Sequence, residues 1–131
     1  MNQQLINEAG EAFKTDEYQL AAKKYELACE AYTTQGNPGM AAESANNRSV
    51  SLLKAGDFNG AYQAALNTDQ VFVNIGDIRR QAIALSNQAS ALENLKKADQ
   101  AIDLYQKSAA LLKEINEREM RVYVLKSISY L

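Results

Sequence analysis

Asn7, Asn47 and Asn87 stand 40 residues apart, as do Ala21, Ala61 and Ala101, and these are the two columns that return unchanged when the chain is laid over itself at that spacing. An amide side chain has two donors and an acceptor, so it can answer both the N–H and the C=O of a peptide backbone. Three of them on equivalent helical faces would do so at intervals set by the fold. Asparagine is a mediocre helix former, so propensity does not ask for it three times. The alternative is structural: the same amide can hold a neighbouring helix or simply face water. Asn46, beside Asn47, joins this candidate peptide-binding set. So do Lys14 and Lys54, which repeat the spacing, with Lys126 on the last helix. Their ammonium groups suit acidic side chains or a terminal carboxylate, or solvent alone.

Other chemistry is closed off by composition. The chain has no histidine and one cysteine, which removes Ser-His-Asp and Cys-His nucleophilic sites and the usual zinc constellations. Carboxylates are plentiful, but none pairs with another on an apolar helical face, so acid–base catalysis has no foothold. A non-enzymatic protein without cofactor or metal is expected. Net charge is −2, with 14 basic residues dispersed among 16 acidic ones, and nothing resembles the basic stripe that nucleic acid requires. The longest apolar runs are a few residues, against the ~20 needed to span a bilayer. The polar start MNQQ does not read as a signal peptide, so no membrane partner and a cytoplasmic location are expected. Cys29, among Leu27, Ala28 and Ala31, reads as a small core residue. Asn47-Arg48-Ser49 is a formal glycosylation sequon, set inside a predicted helix and read as chance.

The elements that must position these residues are helices. Ala82, Leu85, Ala89 and Leu92 recur at intervals of three and four, and so do Ile102, Tyr105, Ala109 and Leu112. Seven helices are expected, near 2–14, 17–35, 38–55, 58–75, 78–95, 98–115 and 118–131. Turns fall at two phases of the period: Thr15-Asp16, Ala55-Gly56-Asp57 and Lys96-Lys97, then Gly36-Asn37-Pro38, Gly76-Asp77 and Asn116-Glu117. At the second phase Gly36 and Gly76 can close a helix in the left-handed conformation. Asn37, Asp77 and Asn116 can cap the next helix, with Pro38 at a first helical position and Asn116 and Glu119 at capping-box spacing. The units are 2–36, 37–76 and 77–115, plus the terminal helix 118–131, in one domain of residues 1–131. Similarity at such a period signals a solenoid, in which each unit buries its apolar face only against its neighbours.

The pattern resembles the tetratricopeptide repeat (TPR) family, in its longer variant of 40 residues per repeat. The second unit supplies Ser49, Gly56-Asp57-Phe58 and Ala61; the first supplies Ala9, Tyr18, Ala21, Tyr25 and Ala28; the third supplies Ala89, Ala101, Tyr105 and Ser108. Where the family usually has an apolar residue, this chain has Glu8, Arg48 and Gln88, and the proline that ends a unit is missing. The resemblance implies an all-α, right-handed superhelical array of antiparallel helix pairs whose first helices line a concave groove. It further implies that Asn7, Asn47 and Asn87 face that groove as a ladder gripping an extended peptide of a partner protein. The clamp of chaperone-tail binders is not reproduced: Ile6, Gly10, Ile83 and Asn87 replace four of its members, and Asn47 alone matches.

The last helix carries Met120, Val122, Val124, Leu125, Ile128, Tyr130 and Leu131 around more of its circumference than one inner face requires. Leu125 and Ile128 are expected to pack back on the helix at 98–115, leaving Val124, Leu131 and part of Tyr123 uncovered. An uncovered terminal face favours a second reading, in which Val122, Val124, Ile128, Tyr130 and Leu131 form the interface of a homodimer or meet further repeats of a longer scaffold.

Overall fold

The computed structural model describes residues 2–131, and every regular element among them is a helix. In chain order these are α1 (Asn2–Lys14), α2 (Tyr18–Thr34), α3 (Pro38–Lys54), α4 (Phe58–Ala65), α5 (Thr68–Ile75), α6 (Ile78–Asn94), α7 (Ala98–Glu114) and α8 (Arg118–Ser129). They pack as successive antiparallel pairs, α1 on α2, α3 on α4 and α5, α6 on α7, with α8 against α7. Consecutive pairs join through α2 on α3, α4 and α5 on α6, and the direct contact of α3 with α6. This is the right-handed array of helix pairs that the repeat implies.

Its metre is shorter than the sequence columns suggest. Asp16, Gly36, Gly56, Gly76, Lys96 and Asn116 all take left-handed backbone, each 20 residues after the last, with φ between 60° and 85°. After each one, the next residue donates its N–H to a carbonyl five positions back: Glu17 to Ala12, Asn37 to Tyr32, Asp57 to Leu52, Asp77 to Phe72, Lys97 to Leu92 and Glu117 to Leu112, all at 2.8–2.9 Å. That is the Schellman closure, made here six times, three of them without glycine. The residue behind the turn then opens the next helix. Asn37, Asp57 and Asp77 cap it through Oδ1, which accepts from the N–H of Met40, Gly60 and Arg80 at 3.2, 2.9 and 3.0 Å. The capping box expected of Asn116 and Glu119 does not form. Asn116 is itself the left-handed residue, and Glu117 stands at the cap with no side-chain capping bond, its carboxylate accepting instead from Arg79 Nε at 3.1 Å.

The helix expected over 58–75 is broken, so the seven helical arms contain eight helices. Leu66 turns extended (ψ 128°) and Asn67 left-handed (φ 67°). The break strips the Ala65 carbonyl of its helical donor, and two side chains replace it: Thr68 Oγ1 at 2.7 Å and Gln88 Nε2 of α6 at 3.0 Å.

The alanine column behaves as a close-approach marker, since Ala21, Ala61 and Ala101 are fully buried. Serines stitch the close contacts: Ser49 Oγ donates to the Ala61 carbonyl at 2.7 Å and Ser108 Oγ to that of Ala82 at 2.8 Å. The largest apolar cluster lies where α6, α7 and α8 meet, with Leu92, Tyr105, Leu112 and Val124 at its centre. Val124 therefore corrects the expectation for the last helix. It is 3% exposed, whereas Leu125, expected to pack inward, is 42% exposed. The reason is the repeat register: Ala84 and Ser44, one and two periods upstream, are also buried. Ile128 does pack on the cluster, half-buried, so of the expected interface residues Val122, Tyr130 and Leu131 are the exposed ones.

Candidate functional site

The asparagine column splits into three different environments. Asn7 on α1 is exposed, and its Oδ1 accepts from Gln3 Nε2 one turn earlier at 2.9 Å. Asn47 on α3 is exposed, with only its backbone carbonyl engaged, by Ser51 Oγ at 3.0 Å. Asn87 on α6 is half-buried and donates Nδ2 to Asn46 Oδ1 at 3.1 Å. Asn46 is corrected by the structure. It is buried and committed inward, donating to the Ala42 carbonyl at 3.2 Å and accepting from Thr68 Oγ1 at 3.4 Å, so it is not free to meet a peptide.

Lys14 and Lys54 are both exposed in the last turns of α1 and α3, where a cation also suits the helix dipole. Lys14 Nζ lies 3.7 Å from Glu11, a contact of little energetic weight at such exposure.

Asn87 alone of the column opens into an apolar concavity. A cavity of about 360 Å³ lies between α6, α7 and α8, lined by Ile83, Asn87, Leu112, Met120, Tyr123 and Val124, with Ser86 and Glu119 also on its wall. The half-buried amide is one of four polar side chains, with Ser86, Ser108 and Glu119, on a wall that is otherwise apolar. Such a place takes a bulky apolar side chain while the amide meets the backbone beside it. Asn7 lines a different, more polar recess of about 550 Å³ with Glu8, Glu11, Glu17, Leu20 and Lys24.

Sequence reasoning passed over the neighbouring column, Glu8, Arg48 and Gln88, noting only that it departs from the usual apolar residue. Each member in fact reaches across to another helix. Glu8 bonds Lys24 at 2.8 Å and Arg48 bonds Glu26 at 2.9 Å. Gln88, buried, donates to both the Ala65 carbonyl and Asp69 Oδ1, the latter at 2.8 Å. The bond from Lys24 holds the Glu8 carboxyl below its usual range, and Lys23, then Arg48, do the same for Glu26. The 40-residue recurrence of polar residues at an expected apolar position was the signal available.

Gln88 closes the broken helix, so Gln88→Leu is expected to leave the Ala65 carbonyl with Thr68 alone and Asp69 without its buried partner. The expected cost is about 1–3 kcal/mol in chemical denaturation. Amides of α5 should exchange faster than those of α2, and unchanged exchange there would disprove the locking role.

Cys29 is half-buried, its thiol pushed up by burial, which suits a packing residue. No helix among the described residues is long and apolar enough to cross a membrane.

Comparison with known proteins adds three findings. The family model described as soluble NSF attachment protein, SNAP, matches residues 2–124. A comparison with curated proteins finds no match. Among solved structures, a TPR-like protein from Chlorobium tepidum superposes with a TM-score of 0.78 at 18% identity, covering 98% of this chain and 92% of that one. At that identity the likeness speaks for the fold alone.

Proposed function

The chain belongs to the soluble NSF attachment protein family, matched over residues 2–124, and from that premise we propose that it is a non-enzymatic protein-interaction module whose concave face holds an extended segment of a partner protein. The family is named for attachment to another protein, and the TPR-like fold is generally an interaction scaffold. The observation that carries the reading is the cavity between α6 and α8, where Asn87 stands beside Ile83, Met120 and Tyr123. Asn47, exposed on the preceding first helix, extends the same column with an amide that makes no side-chain hydrogen bond among the described residues. Together they offer one apolar anchor point and two amides for a backbone.

The test is a selection of displayed peptides against the protein, followed by titration of the recovered sequences against variants. Asn47→Ala is expected to leave the melting temperature unchanged. Asn87→Ala should lower stability by about 1 kcal/mol, because Asn46 Oδ1 loses its shorter donor. In binding, each substitution should weaken affinity about fivefold, the equivalent of one polar contact. Peptides that bind wild type and the double variant equally would remove the amides from the binding site.

A further inference from the structure

We infer that the groove between α2 and α5, floored by α3, docks an amphipathic helix of a partner protein, one that presents leucine-sized side chains a turn apart and basic residues on its flanks. The groove is a cavity of about 440 Å³, with Ala41 and Ala45 of α3 on its floor, Cys29 and Thr33 on the α2 wall, and Leu66 and Val71 on the other. All three helices lie inside the array, each packed between neighbours, so a repeat added at either end would not reach it. It shares no residue with the concave cavity, and the inference does not rest on the function proposed there.

The repeat itself shows what is missing. One period on, the chain places Leu85 where α3 has Ala45, and Leu111 where α5 has Val71. Leu85 is 6% exposed and Leu111 packs against the cluster of α6, α7 and α8, so there the chain's own leucines take up the space. Ala45 and Val71 are smaller and only half-buried, and the hollow that they line is open. Cys29 and Thr33 stand one turn apart along α2, so the hollow spans the separation of two side chains on one face of a helix.

Charge selects the flanks. Residues 29–45 and 66–75 contain every residue lining the groove, and they carry Glu30, Glu43 and Asp69 with no lysine or arginine. Two cations approach from outside these segments, but Arg48 is engaged by Glu26 at 2.9 Å, and Arg80 by Asp77 and Glu43. Glu30, exposed beside Cys29, is thus in a region that attracts a basic helix and repels an acidic one.

The sole cysteine of the chain stands in the groove wall and reports occupancy. The probe is a labelled, cysteine-free synthetic peptide of lysine and alanine with two leucines four positions apart, titrated against the whole protein by fluorescence anisotropy while alkylation of Cys29 is followed by mass. Saturable binding is expected, with alkylation slowed about tenfold at saturation as access to the thiol is lost. Ala45→Leu, which fills the hollow as Leu85 does one period on, should weaken binding about tenfold and leave the melting temperature unchanged; Val71→Leu serves if that variant fails to fold. Glutamates in place of the peptide lysines should weaken binding about tenfold at low salt, the gap closing at high salt. A proline in the middle of the peptide should abolish binding, and Asn47→Ala should not affect it. Absence of saturable binding, binding that leaves Cys29 equally reactive, binding indifferent to the groove-filling variant, or equal binding of the proline peptide overturns the inference. So does light scattering that finds the free protein as a dimer which Ala45→Leu returns to monomer, because the occupant would then be a second copy.

Discussion

Tyr105→Ala is expected to cost about 3–5 kcal/mol, enough to unfold the α6–α7–α8 end of the array. The side chain is 1% exposed, the bulkiest of the fully buried ones, and central to the largest apolar cluster. Its hydroxyl is not idle: it donates to Glu93 Oε1 at 2.9 Å and lies 2.9 Å from Ser90 Oγ. Burial, with Glu93 acting in the same direction and Ser90 against it, pushes the phenol from 10.0 up to about 12. The unfolded chain therefore ionises this group before the folded one does. Its contribution is complete below pH 10 and declines as pH rises from 10 toward 12, by up to roughly 3 kcal/mol. Tyr105→Phe should lose about 1 kcal/mol at neutral pH and shed that alkaline decline. Urea titrations of the two proteins at pH 8 and pH 11 check this. Parallel losses in both would assign the alkaline sensitivity to other groups.

Val124→Glu is expected to release α8 while Leu125→Glu, one residue away, leaves stability within about 0.5 kcal/mol. Val124 is 3% exposed and belongs to the apolar cluster of Ala82, Ala89, Tyr105 and Leu112, so a carboxylate there is desolvated, at a cost of about 3 kcal/mol or more. Because each helix packs only on its neighbours, the damage should be local. Hydrogen exchange should lose protection over 118–129 and in the adjoining turns of α7, with α1 to α3 unchanged. Equal destabilisation by the two substitutions would mean that α8 packs through a different face.

Much of the architecture was legible because repetition reports the same physics several times. The alanine column marked close helix approaches, and Gly36 and Gly76 marked two helix ends. Asp16, Lys96 and Asn116 were legible as turns only by type, since nothing local distinguishes a left-handed lysine from a helical one. The break at Leu66 and Asn67 was hidden because the carbonyl it frees is satisfied by Gln88, 23 residues away. For the same reason Asn46 and Asn87 looked alike. Which amide faces a groove and which turns to a buried threonine depends on a partner that spacing along one helix does not reveal. The facing of α8 was misjudged for a different reason: its apolar residues were counted around a circumference, whereas their register against Ser44 and Ala84 already gave the inward side.

The bond between Asn87 and Asn46 also bears on the mechanics of the array. It crosses from one unit to the next, and with Thr68, Gln88 and Asp69 it adds a polar network to the second seam, beside the small apolar cluster of Ala42, Phe72 and Ala84. The first seam, by contrast, is held by Leu5, Ile6, Met40 and Tyr32 packing together. Apolar contacts resist any displacement that admits water, while an amide pair can exchange one partner for another at small cost. A bound segment competing for the Asn87 amide would therefore act on a bond that joins the second unit to the third.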